Sequence, residues 1–129
     1  MESSPAPLKI FLADDSVPIR QRVGALLAAS EMRIVGEAAT PQGCIAGILG
    51  ARPDVVVLDC RLEGGTGLEV LQTVRRAEPG IAFVVFSNNA IDAYRKRYLA
   101  AGATRFLDKS ADFDQLAEAV SLASHPVSH

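Results

Sequence analysis

Five short apolar segments rich in β-branched residues recur along the chain, at residues 8–13, 33–37, 55–58, 81–86 and 105–107, and stretches with helical apolar spacing separate them. This regular alternation is the strongest constraint on the fold. It is the pattern of successive strand–helix units on a parallel sheet, and the apolar runs lack the clean alternation of strands with one wet face, as expected when both faces are covered. At 129 residues the chain suffices for one domain with a substantial core. With 49% apolar and 22% charged residues, the composition is that of a folded globular chain.

The intervening segments carry helix signals. Ser16 is placed to cap a first helix with Pro18 in its first turn, and Ile19, Val23, Leu26 and Leu27 form its apolar stripe. Thr40 and Pro41 open a second helix with Ile45, Ile48 and Leu49 inward. Gly43, Gly47 and Gly50 predict that this helix is the loosest, because each interior glycine costs about 1 kcal/mol relative to alanine. A third helix follows the run "GGTG" with Leu68, Leu71 and Val74 on one face, ending before Pro79 and Gly80. The fourth is expected over 91–101 with a stripe of Ile91, Tyr94, Tyr98 and Leu99, stopped by Gly102. The fifth is expected over 112–123 with Phe113, Leu116, Ala117 and Val120 buried. Loose ends are expected at residues 1–7 and 124–129.

Several function classes are disfavoured. A net charge of −2 without a long basic block gives no electrostatic footprint for nucleic acid, so none is expected as a partner of this domain. No apolar run is long enough to span a bilayer and no signal peptide is recognisable, which makes the cytoplasm the expected compartment and a membrane an unexpected partner. Cys44 and Cys60 are too few and too far apart for a disulfide framework or a zinc site, and are expected as buried thiols.

Chemistry concentrates where the apolar runs end. Ligands of an open parallel sheet bind outside the carboxyl ends of its strands. Here those ends read Asp14 and Asp15, then Asp59, Ser87, and Asp108 with Lys109. Convergence would bring three carboxylates together, and at an effective dielectric of 20 one like-charged pair about 4 Å apart costs about 4 kcal/mol. A hard divalent cation with oxygen ligands resolves this, which makes magnesium at Asp14 and Asp15 the expected cofactor. Asp59 would then be placed as a nucleophile for a phosphoryl group, with Lys109 and Ser87 contacting its oxygens. The bland alternative for Asp14 and Asp15, an acidic cluster favoured by a helix dipole, is worth roughly 0.3–1 kcal/mol and leaves the other three residues unexplained. "GGTG" lacks the further signals of a dinucleotide fingerprint or a P-loop and reads as a turn. His125 and His129 fall in the tail and receive no role.

The ordered set of an acidic pair after the first strand, "VVVLD" with Gly67 eight residues beyond Asp59, Ser87 after the fourth strand and Lys109 after the fifth resembles the receiver domain of bacterial two-component response regulators. The resemblance runs over about residues 8–123. It implies a flavodoxin-like five-stranded parallel sheet of order 2-1-3-4-5 flanked by five helices. It further implies Asp59 as phosphoacceptor, Asp15 as a direct magnesium ligand, Asp14 acting through water, and the Arg61 backbone carbonyl in the metal shell. Phe106 would be a switch aromatic that turns inward as Ser87 moves toward the phosphate, with output through the fourth helix, fifth strand and fifth helix. Implied partners are a histidine kinase or histidine phosphotransfer protein, a downstream protein target, and a phosphorylation-dependent homodimer; the basic side of "YRKRY" reads either as a solvated face or as part of a partner or dimer surface. The implied role is a phosphorylation switch in two-component or phosphorelay signalling and not a turnover enzyme. The alternatives are a receiver cut from a longer DNA-binding transcriptional regulator, a pseudo-receiver, and an aspartate-nucleophile phosphohydrolase, which "DDS" fits poorly.

Three departures from the family pattern stand out. Glu63, Gly64 and Gly65 occupy the turn where proline is usual, which predicts a more mobile loop. Ser110 replaces the proline after the lysine, so a cis Lys109–Ser110 bond would cost roughly 2.5–4 kcal/mol unless the loop takes another path. Asn88 and Asn89 follow Ser87 and bear on access to the phosphoryl position.

Overall fold

The computed structural model describes residues 6–88 and 91–124, so Asn89, His125 and His129 lie outside the described residues. The chain runs β1 (Lys9–Ala13), α1 (Val17–Ala29), β2 (Arg33–Ala38), α2 (Pro41–Ala51), β3 (Val55–Leu58), β4 (Arg61–Leu62), β5 (Gly65–Thr66), α3 (Gly67–Ala77), β6 (Ala82–Ser87), α4 (Asp92–Ala100), β7 (Arg105–Asp108), a 3-10 turn at Phe113–Gln115, and α5 (Leu116–Ala123). Five parallel strands form one sheet in the order β2-β1-β3-β6-β7, so among these main strands the order is the expected 2-1-3-4-5.

The unbroken apolar runs are explained by two cores, one on each face. Ile10, Leu12, Val55, Val57, Val84, Phe86 and Leu107 point to one side and pack with Val23 and Leu27 of α1 and Leu116 and Val120 of α5. Phe11, Ala13, Val56, Leu58, Phe83, Val85 and Phe106 point to the other and pack with Ile48 of α2, Val70, Leu71 and Val74 of α3, and Tyr98 of α4. Side chains alternate faces along a strand, and here both faces are dry. Ser16 and Thr40 cap their helices as expected, accepting from the amides of Ile19 and Gly43, and Thr66 caps the third helix by accepting from the Glu69 amide.

Several expectations are corrected. In α4 only Tyr98 is buried, while Ile91, Tyr94 and Leu99 are 58%, 40% and 41% exposed. The helix has nine residues and buries a single side chain against the sheet, so its other apolar side chains face outward. The fifth helical segment begins as a 3-10 turn, with Phe113 and Ala117 half-buried and Ala119 and Ala123 taking interior places. Glycine in α2 is a packing requirement: a Cβ at Gly47 would sit 2.7 Å from the Phe11 ring, and one at Gly36 on β2 would sit 2.8 Å from it. Residues 63–65 lie in a regular turn. Gly64, at φ +82°, turns a short antiparallel hairpin between β4 and β5, and the Glu63 amide donates to the Ala39 carbonyl at 2.8 Å.

Candidate functional site

Parallel register brings the expected residues to one edge. The Ala13 and Leu58 positions pair between β1 and β3, so Asp14 and Asp59 leave adjacent strands at the same level. The Asp59 amide donates to the Ala13 carbonyl at 2.9 Å, and the Lys109 amide donates to the Ser87 carbonyl at 3.0 Å, tying the neighbouring ends together. Ser87 and Asp108 are the last residues of β6 and β7, so each strand runs one position past its expected end.

Asp14, Asp15 and Asp59 each present a carboxylate oxygen, and all three oxygens lie within 4.8 Å of one another. Lys109 Nζ donates to Asp14 Oδ2 at 2.7 Å and to Asp59 Oδ2 at 2.9 Å, and each of these three side chains is less than a tenth exposed. Asp15 is exposed and opens the cluster to solvent, while Ser87 is fully buried. One ammonium therefore faces three carboxylates.

The electrostatics follow from that imbalance. Burial pushes the Asp59 carboxyl above its ordinary range, and the nearby Asp14 charge adds to this; Lys109 and a hydrogen bond from the Arg61 backbone oppose the rise without cancelling it. For Lys109, burial alone would favour the neutral amine. Its bonds to Asp14 and Asp59 outweigh that, so its affinity for the proton is raised and it stays an ammonium. A pocket of oxygen donors with excess negative charge, open on one side, has the donor set of a hard divalent cation such as magnesium.

The surroundings hold features that sequence reasoning did not isolate. Arg20 pairs with Glu37 at 2.7 Å and donates through Nη1 to the Asp14 carbonyl, fastening the turn after β1 to β2. No local sequence signal marks Arg20 for this, because its partners come from other elements. Gly67 approaches the backbone so closely that a Cβ would run into the Asp59 carbonyl oxygen. Phe106 is 3% exposed and already turned inward, edge to face with Tyr98 at 5.9 Å and with the Arg95 guanidinium 5.2 Å from its ring. Arg95 also donates to the Phe106 carbonyl at 2.9 Å. The peptide after Lys109 is trans, as are all bonds among the described residues, so the loop takes another path from the one proline would impose.

The sequence matches the response regulator receiver domain family over residues 10–121. The chain belongs to that family. Among curated relatives of this receiver, a response regulator GacA of Pseudomonas aeruginosa is 29% identical over 88% of the chain and 53% of that protein. The DNA-binding transcriptional activator DevR/DosR of Mycobacterium tuberculosis is 33% identical over 88% of the chain and 52% of that protein. The chain thus spans about half the length of the curated relatives it matches. Among solved structures, the signal receiver domain of the response regulator NarL from M. tuberculosis superposes with a TM-score of 0.89 at 27% identity, covering 95% of this chain and 100% of that one. Cys44 and Cys60 are buried free thiols, and no described helix is long and apolar enough to cross a membrane.

Proposed function

We propose that this receiver is a magnesium-dependent phosphorylation switch of two-component or phosphorelay signalling, with Asp59 as phosphoacceptor. The observation that carries the reading is the pairing of Lys109 with both Asp14 and Asp59 inside a cluster of three carboxylates. On this reading Asp15 holds the metal directly, Asp14 holds it largely through water, and Asp59 with the Arg61 backbone carbonyl completes the protein's share. When bound, magnesium supplies positive charge that offsets the carboxylates and the phosphoryl oxygens. An Asp59 carboxylate oxygen attacks phosphorus as the bond to the donor nitrogen of a phosphohistidine breaks, and the departing imidazole keeps the electron pair. The product is an aspartyl phosphate. Lys109 follows the charge, from the two carboxylates to a phosphoryl oxygen, and Ser87 donates to another. Burial of Asp59 and Lys109 keeps these interactions in a low-dielectric setting where they are strong.

The donor is a histidine kinase or histidine phosphotransfer protein in the cytoplasm, and the output is a protein contact through α4, β7 and α5, with a homodimer as one form it takes. On this reading Phe106, whose ring is inward in this structure, is the switch aromatic, and its packing against α4 changes as Ser87 moves toward the phosphate. A differential of about 1–3 kcal/mol between two packed states is enough for such coupling. Activity beyond the protein's own phosphorylation and dephosphorylation is not expected. Incubation with magnesium and acetyl phosphate is expected to add one acid-labile phosphate by intact mass, and Asp59→Ala to abolish the gain. An unmodified wild type would refute the reading.

A further inference from the structure

The Lys109 ammonium is fixed at its far end by Asp14 and Asp59, but its backbone must be held as well. In this chain the residue after it is Ser110, whose φ is not locked by a ring. The loop instead closes on Asp108. Asp108 Oδ1 accepts from the Ser110 amide at 2.8 Å and from Ser110 Oγ at 2.7 Å. Asp108 is also gripped through its backbone: its amide donates to Asp112 Oδ2 at 2.9 Å and its carbonyl accepts from the Asp112 amide at 2.8 Å. With the Lys109 amide on the Ser87 carbonyl, both sides of Lys109 are fastened, one to β6 and one to the start of the last helical segment. The Ser110 bonds hold the Asp108 carboxyl below its ordinary range, so it is a charged and therefore strong acceptor at neutral pH.

We infer that Asp108 is a positioning residue for phosphoryl acceptance: its two hydrogen bonds from Ser110 set the path of the loop and thereby the aim of the Lys109 ammonium at Asp59. Asp108 does not touch the reacting atoms. It acts through Lys109, and the inference rests on the reading of Asp59 as phosphoacceptor. The interactions are local and exposed at Ser110, so their loss leaves both cores intact, and the consequence falls on the pocket.

The test is the rate of phosphorylation by acetyl phosphate, with magnesium saturating, for the full chain and variants at Asp108 and Lys109. Asp108→Ala is expected to slow the reaction by about tenfold, in line with the sensitivity of such reactions to small misplacements. Asp108→Asn retains an Oδ1 acceptor and is expected to recover the rate to within about twofold of wild type. In a Lys109→Ala background, Asp108→Ala is expected to cost nothing further, because groups acting through one partner are non-additive. A general structural defect would instead slow both backgrounds equally and would not be rescued by asparagine. Equal rates for wild type and Asp108→Ala, additive losses, or failure of Asp108→Asn to recover would each overturn the inference. Should Lys109→Ala be too slow to time, the asparagine rescue decides alone. A wild type that takes no phosphate fails at the earlier step, the reading of Asp59, and takes the inference with it.

Discussion

Gly67 shows how a single position is dictated by the backbone of another. A Cβ there has no place to go except into the Asp59 carbonyl, which belongs to the strand-end residue of the site. Gly67→Ala is therefore expected to cost on the order of 3 kcal/mol and to shift Asp59, measured by urea unfolding and by the rate of phosphate uptake together. Cys44 gives a prediction in pH. Burial pushes its thiol from 9.0 up to about 11, with Arg20 opposing and Asp14 adding to the rise. The folded chain thus holds this proton more tightly than the unfolded chain. The resulting stability is present in full below pH 9 and is lost as pH rises from about 9 to 11, by on the order of 2 kcal/mol. Cys44→Ala is expected to flatten that part of the stability–pH curve, as read from denaturant midpoints across the window. At this scale the sequence made legible that Asp14, Asp15, Asp59, Ser87 and Lys109 gather at one edge of the sheet, because polar residues directly after apolar strands are conspicuous. Arg20 and the Asp108–Ser110 bonds were not, since they arise from chain geometry that no local pattern encodes.

Among the elements, α4 is the least firmly attached. Tyr98 alone is buried; its hydroxyl donates to the Cys60 carbonyl at 3.4 Å and its ring meets Phe106. Tyr98→Ala is expected to cost about 3–5 kcal/mol, as large aromatic truncations in a core do, whereas Ile91→Ala and Leu99→Ala are expected to stay within about 0.5 kcal/mol. Chemical denaturation of the three variants measures the contrast. Helical spacing predicted a broad buried stripe for this element and overestimated it, because periodicity reports which residues share a face and not how much of that face a neighbour covers. In α2 the composition misled differently. Gly47, which looks like a propensity penalty, leaves the space into which the Phe11 ring fits, and a residue on β1 cannot be foreseen from the helix itself. The β4–β5 hairpin was likewise missed, being two residues per strand and visible only through Gly64.

The whole molecule separates stability from chemistry. Two dry cores, one on each face, fix five parallel strands, and that rigidity holds side chains distant in sequence within one pocket at the sheet edge. The parallel sheet was legible because strand–helix alternation and the polar strand ends agree with each other, whereas its strand order came only from the resemblance to receiver domains; agreement across levels is what specifies a fold. Chemical trapping of the phosphorylated residue tests the central claim most directly. After treatment with magnesium and acetyl phosphate, borohydride reduction converts an aspartyl phosphate to homoserine, which peptide mass spectrometry assigns to a position. Homoserine at position 59 alone is expected; reduction at Asp14 or Asp15 instead, or at no residue, would contradict the assignment of the pocket.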